Sequence, residues 1–72
     1  MNVFKSKRAQ FNVTLEDVSK KIFISPHVLK DLEEGNYEAI LHPFVYYCAK
    51  DYAKFLGIEL PNNIKKIEPR NG

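Results

Sequence analysis

Cysteine occurs once in the 72 residues, at Cys48, so no internal disulfide framework is available and the chain suits a reducing compartment. Glycine occurs three times and never as a cluster, which leaves no Gly-rich loop to cradle a phosphate. The two histidines, His27 and His42, lie on different stretches without partners at ligand spacing, so no metal site is expected. The longest mainly apolar run, Ala39 to Ala49, is broken by His42 and Pro43 and is too short to cross a bilayer. The first residues turn polar at once, without the apolar centre of a signal peptide. No repeat or low-complexity run is present. What remains is one small, non-enzymatic cytoplasmic domain, for which no cofactor is expected.

The local signals that are present are helical. Thr14 followed three residues later by Asp17 has the pattern of a capping box, and Leu15, Val18 and Ile22 share the face that follows. Ser25 and Pro26 start a second helix, because Ser is a favoured cap and Pro at the first helical position gives up an amide that had no partner. Leu29 and Leu32 fall on its buried side, and Gly35 ends it. The connection Phe23-Ile24 is short enough for the steep crossing of a helix-turn-helix, with Ile24 as an apolar plug.

Around this unit the periodicity predicts a first helix from about Val3 to Phe11, with Phe4, Arg8 and Phe11 on one side, and a loop from Asn36 to His42. Pro43 then opens the longest helix, with Val45, Cys48, Ala49, Tyr52, Phe55 and Leu56 at helical spacing before Gly57. Its other side carries Tyr46, Tyr47, Lys50, Asp51 and Lys54. The fold class is therefore all-α, a compact bundle of four or five helices. Its expected core is Phe4, Val18, Ile22, Ile24, Leu29, Leu32, Tyr52, Phe55 and Leu56. The domain is drawn at residues 1–60, with 61–72 as a short helical turn or a frayed tail leading to a linker.

Single residues also have plain structural readings. Arg8 reads as a tie pairing with a carboxylate such as Glu33, although Glu33 and Glu34 also read as a solvated helix end. Cys48 reads as a packed thiol, and Tyr52 as core with its hydroxyl at the edge.

A helix-turn-helix usually reads DNA, through Lys and Arg on phosphates and through Arg, Lys, Asn and Gln on base edges. This one carries three Lys against two Asp and three Glu from Thr14 to Glu34, a balance of minus two. Glu16 and Asp17 stand where a backbone phosphate would sit, and the recognition helix leaves only His27 and Lys30 as readers. The net charge of +2 comes from the chain ends. Specific DNA binding is not expected, and a small DNA-binding regulator of the Cro/Xre class is the alternative reading.

The motifs Phe4-Lys5-Ser6-Lys7-Arg8, Val13-Thr14-Leu15-Glu16-Asp17-Val18, Ile24-Ser25-Pro26, Leu32-Glu33-Glu34-Gly35, Tyr37-Glu38-Ala39-Ile40 and Tyr52-Ala53-Lys54-Phe55-Leu56-Gly57 together resemble the amino-terminal domain of the RodZ family of bacterial cell-shape proteins. Up to Gly35 the pattern is shared with Cro/Xre repressors. The aromatic after Glu-Gly and the long helix ending in Tyr-Ala-Lys-x-Leu-Gly are the specific part. The chain departs from the family at Ile40-Leu41, where Leu-Pro is usual, in lacking a Gly near Tyr47 or Cys48, and in a loop about one residue short. The resemblance implies a domain at the cytoplasmic face of the bacterial inner membrane that docks onto the actin-like filament protein MreB. It also implies a membrane helix beyond this segment, so the chain reads as an excised domain.

Phe44, Tyr46 and Tyr47 put three aromatics within four residues of one helix, where neighbours differ by about 100 degrees, so they cannot all face one core. Exposed aromatics beside lysines have the composition of a protein-docking anchor. The resemblance points to the same helix and implies Phe44 and Tyr47 as contacts, with Tyr46 as a register-shifted substitute. The expected partner-binding residues are therefore Phe44, Tyr46, Tyr47, Lys50 and Lys54.

Overall fold

The computed structural model describes residues 2–69, and part of the tail expected after Glu68, residues 70–72, lies outside them. Among the described residues five α-helices follow one another: α1 Val3–Phe11, α2 Leu15–Ile22, α3 Pro26–Glu34, α4 Phe44–Leu56 and α5 Asn62–Lys65, with a 3-10 turn at Tyr37–Ala39. No strand occurs among the described residues.

The boundaries follow from local chemistry. Thr14 Oγ1 accepts from the Asp17 amide and the Asp17 carboxylate accepts from the Thr14 amide, both at 3.1 Å, closing the capping box of α2. Those bonds hold the Asp17 carboxyl below the usual carboxylate range. Ser25 Oγ caps α3 through the Val28 amide, with Pro26 at its first position. Gly35 and Gly57 end α3 and α4 in the left-handed region, at φ 73° and 71°. Asn2 caps α1 through the Phe4 amide at 2.8 Å and also donates to the Leu32 carbonyl at 2.9 Å, which ties the start of α1 to α3.

The core is one cluster in which Phe4 of α1, Val18 of α2, Leu29 and Leu32 of α3, and Val45, Ala49, Tyr52 and Leu56 of α4 are buried together. Phe4 and Tyr52 stack with ring centroids 5.0 Å apart, locking α1 onto α4. Three expected core residues, Ile22, Ile24 and Phe55, are only half-buried against this cluster. They sit along the seam between the helix-turn-helix and α4, where no further layer covers them. In their place Ile40 from the loop and Ile64 from α5 are buried. Ile64 carries the packed body past residue 60, so the turn after Pro61 contributes to the core.

Two expectations about side-chain placement are corrected. Tyr46 does not lie on the outward side of α4; it is 7% exposed and meets Tyr47 edge to face at 5.5 Å. A helix packed against α1, α2, α3 and α5 has a wider buried arc than a stripe against a single neighbour. Glu33 is not a solvated helix end but a buried carboxylate.

Candidate docking surface

Glu33 organises the inside of the helix-turn-helix. Arg8 reaches it from α1 with Nε 2.6 Å from one carboxylate oxygen and Nη2 3.0 Å from the other, and the Tyr52 hydroxyl donates to the first oxygen at 2.5 Å. Nη1 of Arg8 also donates to the Val13 carbonyl at 3.0 Å, fixing the α1–α2 connection. Burial pushes the Glu33 carboxyl up, but the hydrogen bonds from Arg8 and Tyr52 and the guanidinium charge outweigh it and hold the group below the usual range. Burial, and then Glu33 itself, push the Tyr52 hydroxyl well above its ordinary value. The carboxylate's bonds are all internal, so this triad binds α1, α3 and α4 together. The expected Arg8–Glu33 tie is present. The Tyr52 hydroxyl lies inside the molecule rather than at its edge.

The outward face of α3 carries His27, Lys30 and Glu34 in solvent, with Asp31 half-buried. Glu16 and Asp17 are exposed at the start of α2. The two candidate DNA readers are therefore accessible, and they stand among carboxylates.

Apart from Val3 and Phe11 on α1, the exposed large apolar side chains lie elsewhere. Phe44 and Tyr47, 56% and 46% exposed, stand one turn apart on α4, and Lys50 and Lys54 follow in solvent on the flank that Tyr47 begins. On the other side of Phe44 runs a groove between α4 and the helix-turn-helix, lined by Phe23, Ile24, Val28, Leu41, Phe44 and Cys48. Leu41 is 73% exposed and Phe23 92%. Burial pushes the Cys48 thiol up, and Asp51 adds to the shift, so it stays protonated and behaves as apolar wall.

Phe23 is the least expected of these. It ends α2 in the left-handed region, at φ 60° and ψ 38°, a conformation that costs an L-residue roughly 1–2 kcal/mol and that Gly adopts freely. Leaving a Phe in water forgoes a further 1.5–3 kcal/mol or so of burial. Neither Phe23 nor Leu41 was marked as functional by the sequence, since each reads there as part of a connection. The usable signal is a bulky apolar residue at a position where a turn favours Gly or Asn.

Of the five expected partner-binding residues, the structure sets Phe44, Tyr47, Lys50 and Lys54 on the accessible flank of α4 and withdraws Tyr46 into the packing. Among the described residues no helix is long and apolar enough to cross a membrane, and no cluster of His, Cys, Asp and Glu could hold a metal.

Comparison with known proteins agrees with the architecture. The chain is 36% identical over 64 residues to an uncharacterized protein of Haemophilus influenzae, an alignment covering 86% of this chain and 20% of that protein. It thus spans about a fifth of the length of the curated relative it matches. No solved structure matches it. A model of the helix-turn-helix domain matches residues 3–62, from α1 to the start of α5, and the chain belongs to that helix-turn-helix family.

Proposed function

We propose that this domain is a non-enzymatic adaptor of the RodZ-like cell-shape type, working at the cytoplasmic face of the bacterial inner membrane and binding an MreB-like actin homologue through α4. The observation that carries the reading is the pair Phe44 and Tyr47, half exposed and one turn apart on the longest helix, with Lys50 and Lys54 beside them. Two aromatic anchors rimmed by cations suit a protein surface with an apolar pocket and acidic surroundings. A DNA-binding role has less support, because the acids of α2 and α3 outnumber the lysines of the helix-turn-helix and the recognition helix itself offers only His27 and Lys30 as readers.

Co-sedimentation with purified MreB filaments tests this. Phe44→Ala and Tyr47→Ala should each weaken binding by about 2 kcal/mol, near thirtyfold, if they are central anchors. Lys50→Ala and Lys54→Ala should act mainly on association rate and salt dependence. Lys30→Ala on α3 is the control. If the folded aromatic variants bind like the parent, the filament contact is not on this flank.

A further inference from the structure

A cleft opens between α1, the start of α2 and the outward face of α3, apart from the flank of α4. It encloses about 450 Å³, inside the roughly 300–1,000 Å³ typical of small-molecule sites. The Arg8–Glu33 pair lines it, with Lys5 one turn before Arg8 on α1. An arginine has five N–H donors, and three of those of Arg8 go to Glu33 and the Val13 carbonyl. The other two, one on each Nη, have no acceptor among the described residues, and the Arg8 side chain is partly exposed.

The charges lining the cleft are segregated. On the α1 side Lys5 and Arg8 stand with one carboxylate, Glu33, so a positive charge is left over. On the other side Glu16 of α2 and Glu34 of α3 stand with one lysine, Lys30, so a negative charge is left over, and His27 completes that wall. Lys5, Glu16, Lys30 and Glu34 are all exposed, and among the described residues none of them is in an ion pair. Leu15 and Pro26 add apolar surface. A simple anion would meet Glu16 and Glu34, and a simple cation would meet Lys5 and Arg8. An apolar molecule would strip water from all of them without replacing its bonds. A ligand carrying both signs has a partner for each.

We propose that this cleft binds a small zwitterion with an apolar side chain, of the amino-acid or dipeptide class. Its carboxylate takes the open N–H donors of Arg8 and the Lys5 ammonium, its own ammonium faces Glu16 and Glu34, and its side chain packs on Leu15 and Pro26. Bonds from a guanidinium N–H to a carboxylate are roughly twice as strong as neutral ones, so the carboxylate is the end that Arg8 selects. The inference does not rest on the filament reading, since no residue of that flank lines the cleft.

The test is a titration of the intact, isotope-labelled chain with alanylleucine at neutral pH, followed by amide chemical shifts, with free leucine titrated in parallel. Saturable shifts should be confined to the backbone around Lys5, Leu15, Glu16 and Lys30, with half-saturation at about 1 mM or below. The tighter of the two ligands sets the distance between the bound charges. Blocking the dipeptide's carboxylate as the amide, or its ammonium as the acetyl form, should each weaken binding about tenfold or more. Lys5→Gln should weaken the dipeptide and its acetyl form about threefold and leave the amide form unchanged. The Glu16→Gln/Glu34→Gln double variant should weaken the dipeptide and its amide form and leave the acetyl form unchanged. These positions are exposed, so the variants should melt with the parent, and the blocked peptides test the parent chain itself whatever the variants do to folding. Lys54→Gln, which removes a like charge outside the cleft, should bind as the parent does. The inference is overturned if neither ligand gives a saturable shift at ten times that concentration, or if the shifts map to the groove beside Phe44. It is equally overturned if either blocked form binds like the free dipeptide, if the folded cleft variants bind it like the parent, or if Lys54→Gln weakens it as much as they do.

Discussion

Replacing Glu33 by Gln preserves shape and removes one charge from the centre of the molecule. The carboxylate accepts three hydrogen bonds, from Arg8 Nε at 2.6 Å, Arg8 Nη2 at 3.0 Å and the Tyr52 hydroxyl at 2.5 Å. Bonds to a charged group contribute about 1.5–3 kcal/mol each against 0.5–1.5 for neutral ones. Gln cannot accept all three, and its amide would point a donor at a guanidinium or a hydroxyl. Breaking a buried ion pair by removing one partner costs about 3–5 kcal/mol. The Glu33 side chain is 4% exposed but that of Arg8 is 18% exposed, so water recovers part of the loss and the lower end, about 3 kcal/mol, is expected. A domain of this size has roughly 4–11 kcal/mol in total. The melting temperature should therefore fall by about 12–24 °C, read by circular dichroism at pH 7. The pH dependence gives a second reading of the same group. With its carboxyl held below the ordinary glutamate range, Glu33 contributes stability that is present above that range and lost as pH falls through the lower folded value. The parent should lose stability in that window more steeply than Glu33→Gln. Adding Arg8→Met to Glu33→Gln should cost less than Arg8→Met alone, with a coupling above about 1 kcal/mol. A midpoint change under about 3 °C, or identical acid profiles, would show that the triad does not hold the helices together.

Four further outcomes are expected. Leu32→Ala, at a fully buried position between α1 and α4, should cost on the order of 2–5 kcal/mol in urea denaturation. Ile64→Ala should cost a similar amount, and ending the chain at Leu60 should lower the melting temperature, because α5 is packed rather than trailing. Tyr46→Ala should reduce stability first, so its filament binding, scored per folded molecule, should exceed that of Tyr47→Ala. Titration against random and selected DNA duplexes at physiological salt should give weak, salt-sensitive binding, and one preferred operator at submicromolar affinity would restore the repressor reading.

The sequence by itself determined where the helices begin and end. Thr14 with Asp17, Ser25 with Pro26, and Gly35 and Gly57 act within four residues of their own position, so their effects can be read without knowing what packs against what. The helical face carrying Leu29 and Leu32 was legible for the same reason, because two turns of periodicity name the buried side. The Arg8–Glu33 tie was legible as a pairing, but its burial and its third member Tyr52 were not. Those depend on α4 crossing both helices, a contact across 19 residues from Glu33 to Tyr52. Only the tertiary structure decided which aromatic of Phe44, Tyr46 and Tyr47 is withdrawn, since the answer depends on how the other helices pack around α4. It alone brought Phe23 and Leu41, 18 positions apart in the chain, to the banks of one groove. Caps are satisfied by neighbours in sequence; burial and exposed surfaces are set by neighbours in space, which no local pattern records.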